Sequence, residues 1–200
     1  VYTCLPGESL LAWGYRAAPS ERPMLASHVY AAILRLQRLT DRLAGHAAAR
    51  TLPRRTLGDE LHALVDPHGR TGWSDDPLCV EAFERLVPLV ERVRTPLVFS
   101  NGDCNPDNFL FDGRRLTGFV DFAEACFEDP LFGIAKSMTW DWLPYDAAAL
   151  SRRYVADHGF TLADLDLRVV VACLWQRRRL PRERWAFVRG VLRATLERIQ

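Results

Sequence analysis

Apolar residues recur every three or four positions along most of this chain, with polar residues between them, which is the pattern of amphipathic helices. The pattern is clearest in residues 23–43, where Leu25, Val29, Ile33 and Leu36 would share one helix face. The same spacing predicts further helices at residues 57–65, 78–93, 130–142, 145–158, 162–175 and 181–199. We therefore expect a mostly helical protein.

Three short runs in the middle of the chain have the composition of strands. Residues 96–100 predict a short buried strand. Residues 109–111 and 116–122 are apolar runs separated by the turn pair Asp112-Gly113, so they predict a β-hairpin. The expected fold class is α+β, mostly helical, with one hairpin surrounded by helices.

The composition indicates one soluble domain. The chain has 200 residues, of which 48% are hydrophobic and 26% charged, so it is long and apolar enough to form a substantial core. Its net charge of +1 gives no reason to expect a polyanionic partner. The five cysteines are odd in number and lack the paired spacing of a metal site, which is typical of reduced thiols in a cytoplasmic protein. The sequence contains neither a signal peptide nor an apolar run that could cross a bilayer, so we expect no membrane partner.

The strongest functional signal lies at the base of the predicted hairpin. Asp103 and Asn108 stand five positions apart in one loop, and Asp121 follows thirteen positions later. Kinase-type phosphoryl transfer uses these three groups: one Asp takes the acceptor hydroxyl's proton, while the Asn and the second Asp hold Mg²⁺ on the nucleotide phosphates. Because Asp121 lies between Val120 and Phe122, we expect a buried carboxylate that needs a partner or a metal. The alternative is that all three are solvent-facing loop residues.

This motif resembles that of the aminoglycoside phosphotransferase and choline kinase-like family, whose usual form is His-Gly-Asp, four residues, Asn, then Ile-Asp and a later Asp-Pro. The matching segments here are Asn101-Gly102-Asp103, Asn108, Val120-Asp121 and Asp129-Pro130. The resemblance implies the helical C-terminal lobe of the protein kinase-like fold. It also implies that Asp103 is the catalytic base, that Asn108 and Asp121 bind Mg²⁺, and that ATP or GTP donates the phosphoryl group.

The chain departs from the family pattern at two positions. Asn101 stands where the family has a His that supports the catalytic loop, and Gly133 stands where it has an Asp that braces that loop. Both departures concern the support of the loop and leave Asp103, Asn108 and Asp121 in place. They motivate an alternative reading as a catalytically inactive kinase-like scaffold. Asp129 could also be a simple helix N-cap before Pro130.

The start of the chain leads to a prediction about domains. A complete enzyme of this family has an upstream sheet lobe with a phosphate-binding Lys, whereas the single lysine here is Lys136. We therefore expect that the N-terminal sheet lobe is absent and would be a partner from the same protein. By resemblance, residues 1–7 form an inter-lobe strand and 8–200 the helical phosphotransferase lobe, with the catalytic loop and metal hairpin at 96–123. Thr3 and Leu5 are then candidate nucleotide contacts, unless this segment is a generic apolar strand.

Acidic and aromatic residues after the motif suggest the acceptor. The candidate substrate contacts are Glu124, Glu128, Trp140 and Asp141. Carboxylates and aromatic faces suit a small cationic molecule, such as an amino sugar, an aminoglycoside, a choline-like amine or a hydroxy amino acid. The alternative is that Trp140 packs its helix onto the core while the acids face water.

A second class of function rests on basic residues near the C-terminus. Arginines are dense between Arg177 and Arg189 and could form a patch for nucleic acid or an acidic partner. Glu183 interrupts the run, and arginines at a helix end also favour the helix dipole. The sequence therefore favours a solvated helix face over a nucleic-acid site.

Overall fold

The computed structural model describes residues 6–65 and 75–199. Within these ranges the α-helices are α1 Leu10–Arg16, α2 Arg22–Gln37, α3 Leu39–Ala44, α4 Leu57–His62, α5 Pro77–Val90, α6 Phe132–Ser137, α7 Ala147–His158, α8 Leu162–Arg179 and α9 Arg182–Leu196. The strands are β1 Glu8–Ser9, β2 Arg54–Arg55, β3 Val98–Ser100, β4 Phe109–Phe111, β5 Leu116–Phe119 and β6 Cys126–Glu128. The prediction of a mostly helical α+β fold is confirmed.

Helix α8 forms the centre of the helical packing. It begins at a capping box in which Thr161 and Asp164 each bond the other's backbone N–H group. Its residues 169–174 have 0% exposure, because helices α5, α6 and α9 all pack against it. A helix that is apolar on every side in this way is an interior helix, and the other helices are arranged around it.

Two three-stranded sheets hold the middle of the chain. The hairpin of β4 and β5 is antiparallel, as predicted, and β1 extends it on the other edge of β4. In the second sheet β6 lies between β3 and β2, antiparallel to β3 and parallel to β2. Residues 101–108 form a loop that begins at the end of β3 and ends at the start of β4. Since β3 and β4 belong to different sheets, the two sheets fix the two ends of that loop.

Several predicted boundaries were wrong. The helix predicted at 23–43 breaks at Arg38, and after the break the Thr40 hydroxyl accepts a hydrogen bond from the Phe99 N–H at 2.8 Å. The strand predicted to reach residue 122 ends at Phe119, since Asp121 has φ = 55°, which a strand cannot accommodate. The helix predicted at 130–142 is confined to α6.

Strands β1, β2 and β6 were not predicted. Each has two or three residues, which is too short to display an alternation of apolar and polar positions. No helix in the described ranges combines the length and the apolar character needed to cross a bilayer.

Candidate active site

The loop that follows β3 is held in shape by its own polar residues. The Ser100 hydroxyl accepts a hydrogen bond from the Gly102 N–H at 3.0 Å, and Gly102 has φ = 82°, which only glycine adopts without strain. The side-chain amide of Asn101 donates to the backbone carbonyl of Asp103 at 2.7 Å. These contacts turn the chain so that Asp103 faces a cavity, which it helps to line.

Asn108 is tied directly to Asp103. Its Nδ2 donates to the Asp103 backbone carbonyl at 3.1 Å and to the Asp103 Oδ2 at 3.3 Å. The separation of five positions is bridged by a short 3₁₀ turn, Pro106–Asn108, in which the Asn105 Oδ1 accepts from the Asp107 N–H at 3.0 Å. An Asn before a Pro is a typical start for such a turn, so local sequence explains the proximity.

Asp121 lies beside the same turn, although not in the environment that the sequence predicted. The Val120 N–H donates to the Asn108 carbonyl at 3.0 Å, which brings the residue after β5 alongside Asn108. The expectation of a buried carboxylate was wrong, because Asp121, Val120 and Phe122 are all exposed. The carboxylate lines the same cavity as Asp103.

A cavity of about 330 Å³ opens in front of Asp103. Its lining residues include Asp103, Asn105, Asp121, Glu124, Lys136, Trp140, Trp142, Trp175, Gln176 and Arg179. The rings of Trp140 and Trp142 are stacked, with centroids 5.4 Å apart, and the Arg179 guanidinium lies 3.6 Å from the centroid of the Trp175 ring. The cavity therefore has acidic residues near Asp103 and aromatic walls beyond them.

Burial changes the acid–base behaviour of Asp103. Loss of solvent raises the pKa of its carboxyl group, and the nearby Glu124 carboxylate raises it further. The Lys136 ammonium, the Asn105 N–H and the Asn108 amide act in the opposite direction, but the pKa remains above its usual value. A carboxylate with a raised pKa is a better proton acceptor than an ordinary one.

The residues beside Asp103 have the chemistry of a magnesium site. Mg²⁺ prefers hard oxygen ligands and is commonly bound by one or two side chains together with substrate phosphates. Asn108 donates through its nitrogen to Asp103, which leaves its Oδ1 available, and Asp121 follows the residue bonded to the Asn108 backbone. In residues 6–65 and 75–199 there is no cluster of three His, Cys, Asp or Glu side chains suited to a metal. The pair therefore fits Mg²⁺ that is also held by phosphate oxygens.

The predicted substrate contacts divide into two groups. Glu124 and Trp140 line the cavity, whereas Asp141 is exposed and is not part of its wall. Glu128 does not suit the predicted role, because it is 2% exposed and its carboxylate lies 3.7 Å from the Lys136 ammonium. The candidate nucleotide contacts Thr3 and Leu5 lie outside the described residues.

Sequence reasoning missed part of the cavity wall. Trp175, Gln176 and Arg179 lie on α8, more than fifty positions after Asp121, and reach the cavity through helix packing. No local pattern connects them to the motif. Lys136 did carry a signal, since it is the single lysine of the chain.

The arginines near the C-terminus take part in internal contacts. Arg177 pairs with Asp75 at 3.0 Å, Arg178 donates to the Ala63 carbonyl at 2.8 Å, and Arg189 pairs with Asp76 at 2.9 Å. These contacts neutralise or occupy much of the basic run. Arg177, Arg178 and Arg189, on which the nucleic-acid alternative partly rests, are thus engaged within the protein.

Comparison with known proteins gives a family match and several solved structures of similar fold. Residues 1–170 match the model of the phosphotransferase enzyme family. The fold is similar to aminoglycoside phosphotransferase APH(4)-Ia, with a TM-score of 0.71 and 20% identity over 97% of this chain and 69% of that one.

Two ligand complexes of solved phosphotransferases are also similar. A thermostable mutant of APH(4)-Ia in ternary complex with AMP-PNP and hygromycin B has a TM-score of 0.69 and 19% identity over 97% of this chain and 70% of that one. The GDP and kanamycin complex of APH(2")-IIia has a TM-score of 0.60 and 18% identity over 98% and 70%. No curated protein matches the sequence. At these identities the solved structures establish the fold, and the family match establishes the relationship.

Proposed function

This chain belongs to the phosphotransferase enzyme family, and we propose that it moves the γ-phosphoryl group of ATP, or alternatively GTP, to a hydroxyl of a small cationic molecule. The main support is that Asp103 and Asp121 line one cavity, while Asn108 is hydrogen-bonded to the Asp103 carboxylate and, through its backbone carbonyl, to the residue before Asp121. Asp121 is thirteen positions from Asn108 in the sequence, so its closeness to Asn108 depends on the fold of the hairpin. Phosphoryl transfer depends mainly on positioning and on charge stabilisation, and this arrangement offers both.

In this proposal Asp103 orients the acceptor hydroxyl and takes its proton. Its raised pKa and its position on the cavity wall support that role. Asn108 also has a second task, because its hydrogen bond to the Asp103 Oδ2 limits rotation of the carboxylate. Together with Asp121, Asn108 would hold Mg²⁺, which when bound neutralises charge on the nucleotide phosphates.

The walls of the cavity support a hydroxylated amine as acceptor. Glu124 offers a carboxylate beside Asp103, and the stacked Trp140 and Trp142 rings offer an aromatic surface for the face of a sugar or for an ammonium group. The solved relatives include complexes with hygromycin B and with kanamycin. We therefore propose amino sugars as the first acceptors to test.

The domain assignment and the nucleotide contacts remain proposals as well. Residues 8–200 would form the helical phosphotransferase lobe, and residues 1–7 a strand beside the nucleotide. Two neighbouring contacts support this placement. The Pro6 carbonyl accepts a hydrogen bond from the Thr117 hydroxyl at 2.6 Å, and β1, which follows the segment directly, pairs with β4, which starts after Asn108. Solved relatives contain AMP-PNP, ADP and GDP.

The test compares two acid-to-amide substitutions in the same loop. Asp103→Asn removes the proposed base but keeps a side chain that can accept from Asn108, whereas Asp107→Asn changes an exposed carboxylate four positions away. Phosphate transfer by the full-length protein, from Mg²⁺-ATP and Mg²⁺-GTP to a panel of aminoglycosides and simpler hydroxylated amines, would be followed by mass spectrometry. We expect the Asp103 variant to lose transfer and to retain nucleotide binding, and the Asp107 variant to behave as the parent.

The same experiment distinguishes an active phosphotransferase from a catalytically inactive kinase-like scaffold. Asn101 is fully buried and its Oδ1 lacks a hydrogen-bond donor in the described structure, which is consistent with weakened support of the loop. Nucleotide binding without transfer to any acceptor would favour the scaffold. Transfer that persists in Asp103→Asn would show that the proposed base is wrong.

A further inference from the structure

Three charged side chains are buried directly beneath the loop that carries Asp103. Lys136 on α6 is 5% exposed, Glu128 on β6 is 2% exposed, and Glu60 on α4 is 7% exposed. Buried charges are costly unless they are paired, so a cluster of this kind needs a physical reason.

The ammonium of Lys136 connects the cluster to the loop. Its Nζ donates to the Gly102 backbone carbonyl at 2.9 Å and lies 3.7 Å from the Glu128 Oε2. The rings of Phe132 and Trp175 lie 5.0 and 5.7 Å from the same nitrogen and cover part of its surface. The bonded carbonyl belongs to the residue before Asp103, so the contact fixes the peptide from which Asp103 projects.

The residue type at this position is itself informative. The chain has 26 lysines and arginines, and Lys136 is its single lysine. A compact ammonium can donate to a carbonyl and still lie beside a carboxylate in a small space, whereas a planar guanidinium is larger and directs its donors in a fixed fork. The space is small, since a Cβ added at Gly133 would lie 2.9 Å from the Cys104 Sγ and 3.1 Å from the Glu128 Oε1.

We propose that Lys136 is a positioning residue that holds the Gly102–Asp103 peptide in place through its hydrogen bond to the Gly102 carbonyl, with Glu128 as its buried counter-charge. The catalytic consequence rests on the proposed function, while the bracing of the loop does not. Gly133 permits the arrangement, because any larger side chain there would displace Cys104 or Glu128.

The electrostatic surroundings keep the ammonium charged. Burial acts to lower the pKa of Lys136, but the carboxylates of Glu128, Glu60 and Asp103 outweigh it, and the pKa lies above its ordinary value. Glu128 in turn lacks a hydrogen-bond donor at Oε2 within the described residues, so Lys136 is its source of compensation. The lysine and Glu128 should therefore tolerate joint replacement better than replacement of the lysine alone.

The test uses this difference to separate positioning from stability. Lys136→Met leaves Glu128 unpaired and is expected to fold poorly. The double variant Lys136→Met/Glu128→Gln removes both charges and is expected to regain a cooperative unfolding transition without regaining the bond to Gly102. A control is Arg198→Met/Asp166→Asn, which removes an ion pair between α8 and the segment after α9, away from the loop.

Two readouts are then compared across these proteins. In the double variant, amide hydrogen exchange should accelerate in residues 101–105 and stay unchanged in α8. The kcat for transfer from Mg²⁺-ATP to the acceptor identified in the wild-type panel should fall about 10²-fold, as for other displaced catalytic groups, with little change in KM. The control should show neither effect.

The outcomes distinguish this inference from the proposed function. If the wild-type protein transfers no phosphate, the proposed function fails, and loop exchange in the double variant still decides whether Lys136 braces the loop. Wild-type exchange in residues 101–105 of the double variant would overturn the inference. Accelerated exchange with an unchanged kcat would overturn the positioning role in catalysis.

Discussion

Gly102 is under a tight steric constraint in the loop of residues 101–108, which carries the proposed catalytic base. Its φ of 82° requires glycine, and a Cβ placed on it would lie 2.1 Å from the Glu124 carbonyl oxygen. Because that contact is with backbone, the segment carrying Glu124 would have to move away. The glycine therefore sets both the direction of Asp103 and the distance between the two walls of the cavity.

We expect Gly102→Ala to lower the free energy of unfolding by about 3 kcal/mol or more, near the upper end for single substitutions. The matched control is Gly113→Ala, which has φ = 89° but no atom within 4 Å of an added Cβ. The control should cost about 1–2 kcal/mol, the strain of a left-handed residue alone. Urea unfolding of both variants checks this. Equal losses would mean that the contact with Glu124 is not rigid.

The sequence predicted that Asp103 and Asn108 lie close together, and it failed on the environments of Asp121 and Glu128. The spacing of Asp103 and Asn108 predicted their proximity because a five-residue loop with an Asn-Pro turn has few shapes. The exposure of Asp121 and the burial of Glu128 were not predictable, since both depend on which strand or helix covers them. Burial is decided by contacts that are distant in sequence.

At the scale of elements, Asp76 joins two helices that are far apart in the chain. Its Oδ1 accepts from the Leu78 N–H at 3.0 Å as the N-cap of α5. Its Oδ2 accepts from the Trp185 Nε1 at 3.1 Å and from the Arg189 Nε at 2.9 Å, both on α9. One carboxylate therefore caps one helix and anchors another.

We expect Asp76→Ala to lower the free energy of unfolding by about 2–3 kcal/mol, since it removes an N-cap and leaves the buried Trp185 N–H without an acceptor. Asp76→Asn keeps the cap and loses the charge opposite Arg189, so it should cost less. Thermal or urea unfolding at neutral pH provides the comparison. An alanine variant as stable as the asparagine variant would show that the cap contributes nothing.

The same carboxylate should make stability depend on pH. Burial acts to raise the pKa of Asp76, but hydrogen bonds from Arg189, Trp185 and the Leu78 N–H outweigh it, and the pKa lies below its usual value. A depressed pKa contributes stability above the unfolded-state pKa of about 4, and this contribution is lost as pH falls through the lower folded value. The stability gap between wild type and Asp76→Asn should therefore narrow below about pH 4. A gap that is constant with pH would contradict the assignment.

Elements were predictable where their signals were local. The start of α5 at Asp76-Pro77 follows from a cap residue before a proline. The break at Arg38 could not be predicted in this way. After it, the Thr40 hydroxyl accepts a hydrogen bond from Phe99 on β3, and the position of β3 is set by the tertiary fold. The short strands β2 and β6 likewise depend on pairing between distant segments: β2 pairs with β6, and β6 also pairs with β3.

At the scale of the whole molecule, the four cysteines within residues 6–65 and 75–199 lie in separate elements of the fold. Cys79 lies on α5, Cys104 in the catalytic loop, Cys126 on β6 and Cys173 on α8, and all four are buried free thiols. Burial raises the pKa of Cys79, Cys104 and Cys126 to about 12 each and also raises the pKa of Cys173. Since the thiolate is the reactive form, these groups should be inert while the protein is folded.

Iodoacetamide alkylation at about pH 8, resolved by peptide mass spectrometry, can therefore measure how the molecule opens. If the helical core and the catalytic loop unfold as one unit, all four cysteines should become reactive at the same urea concentration as the loss of helical circular dichroism. The interior position of α8 and the shared core lead us to expect this result. Earlier reaction of Cys104 alone would instead show that the catalytic loop opens locally. In that case Lys136 and Glu128 would stabilise the loop too weakly to couple it to the core. Cys173, at the centre of α8, supplies the internal reference for global unfolding.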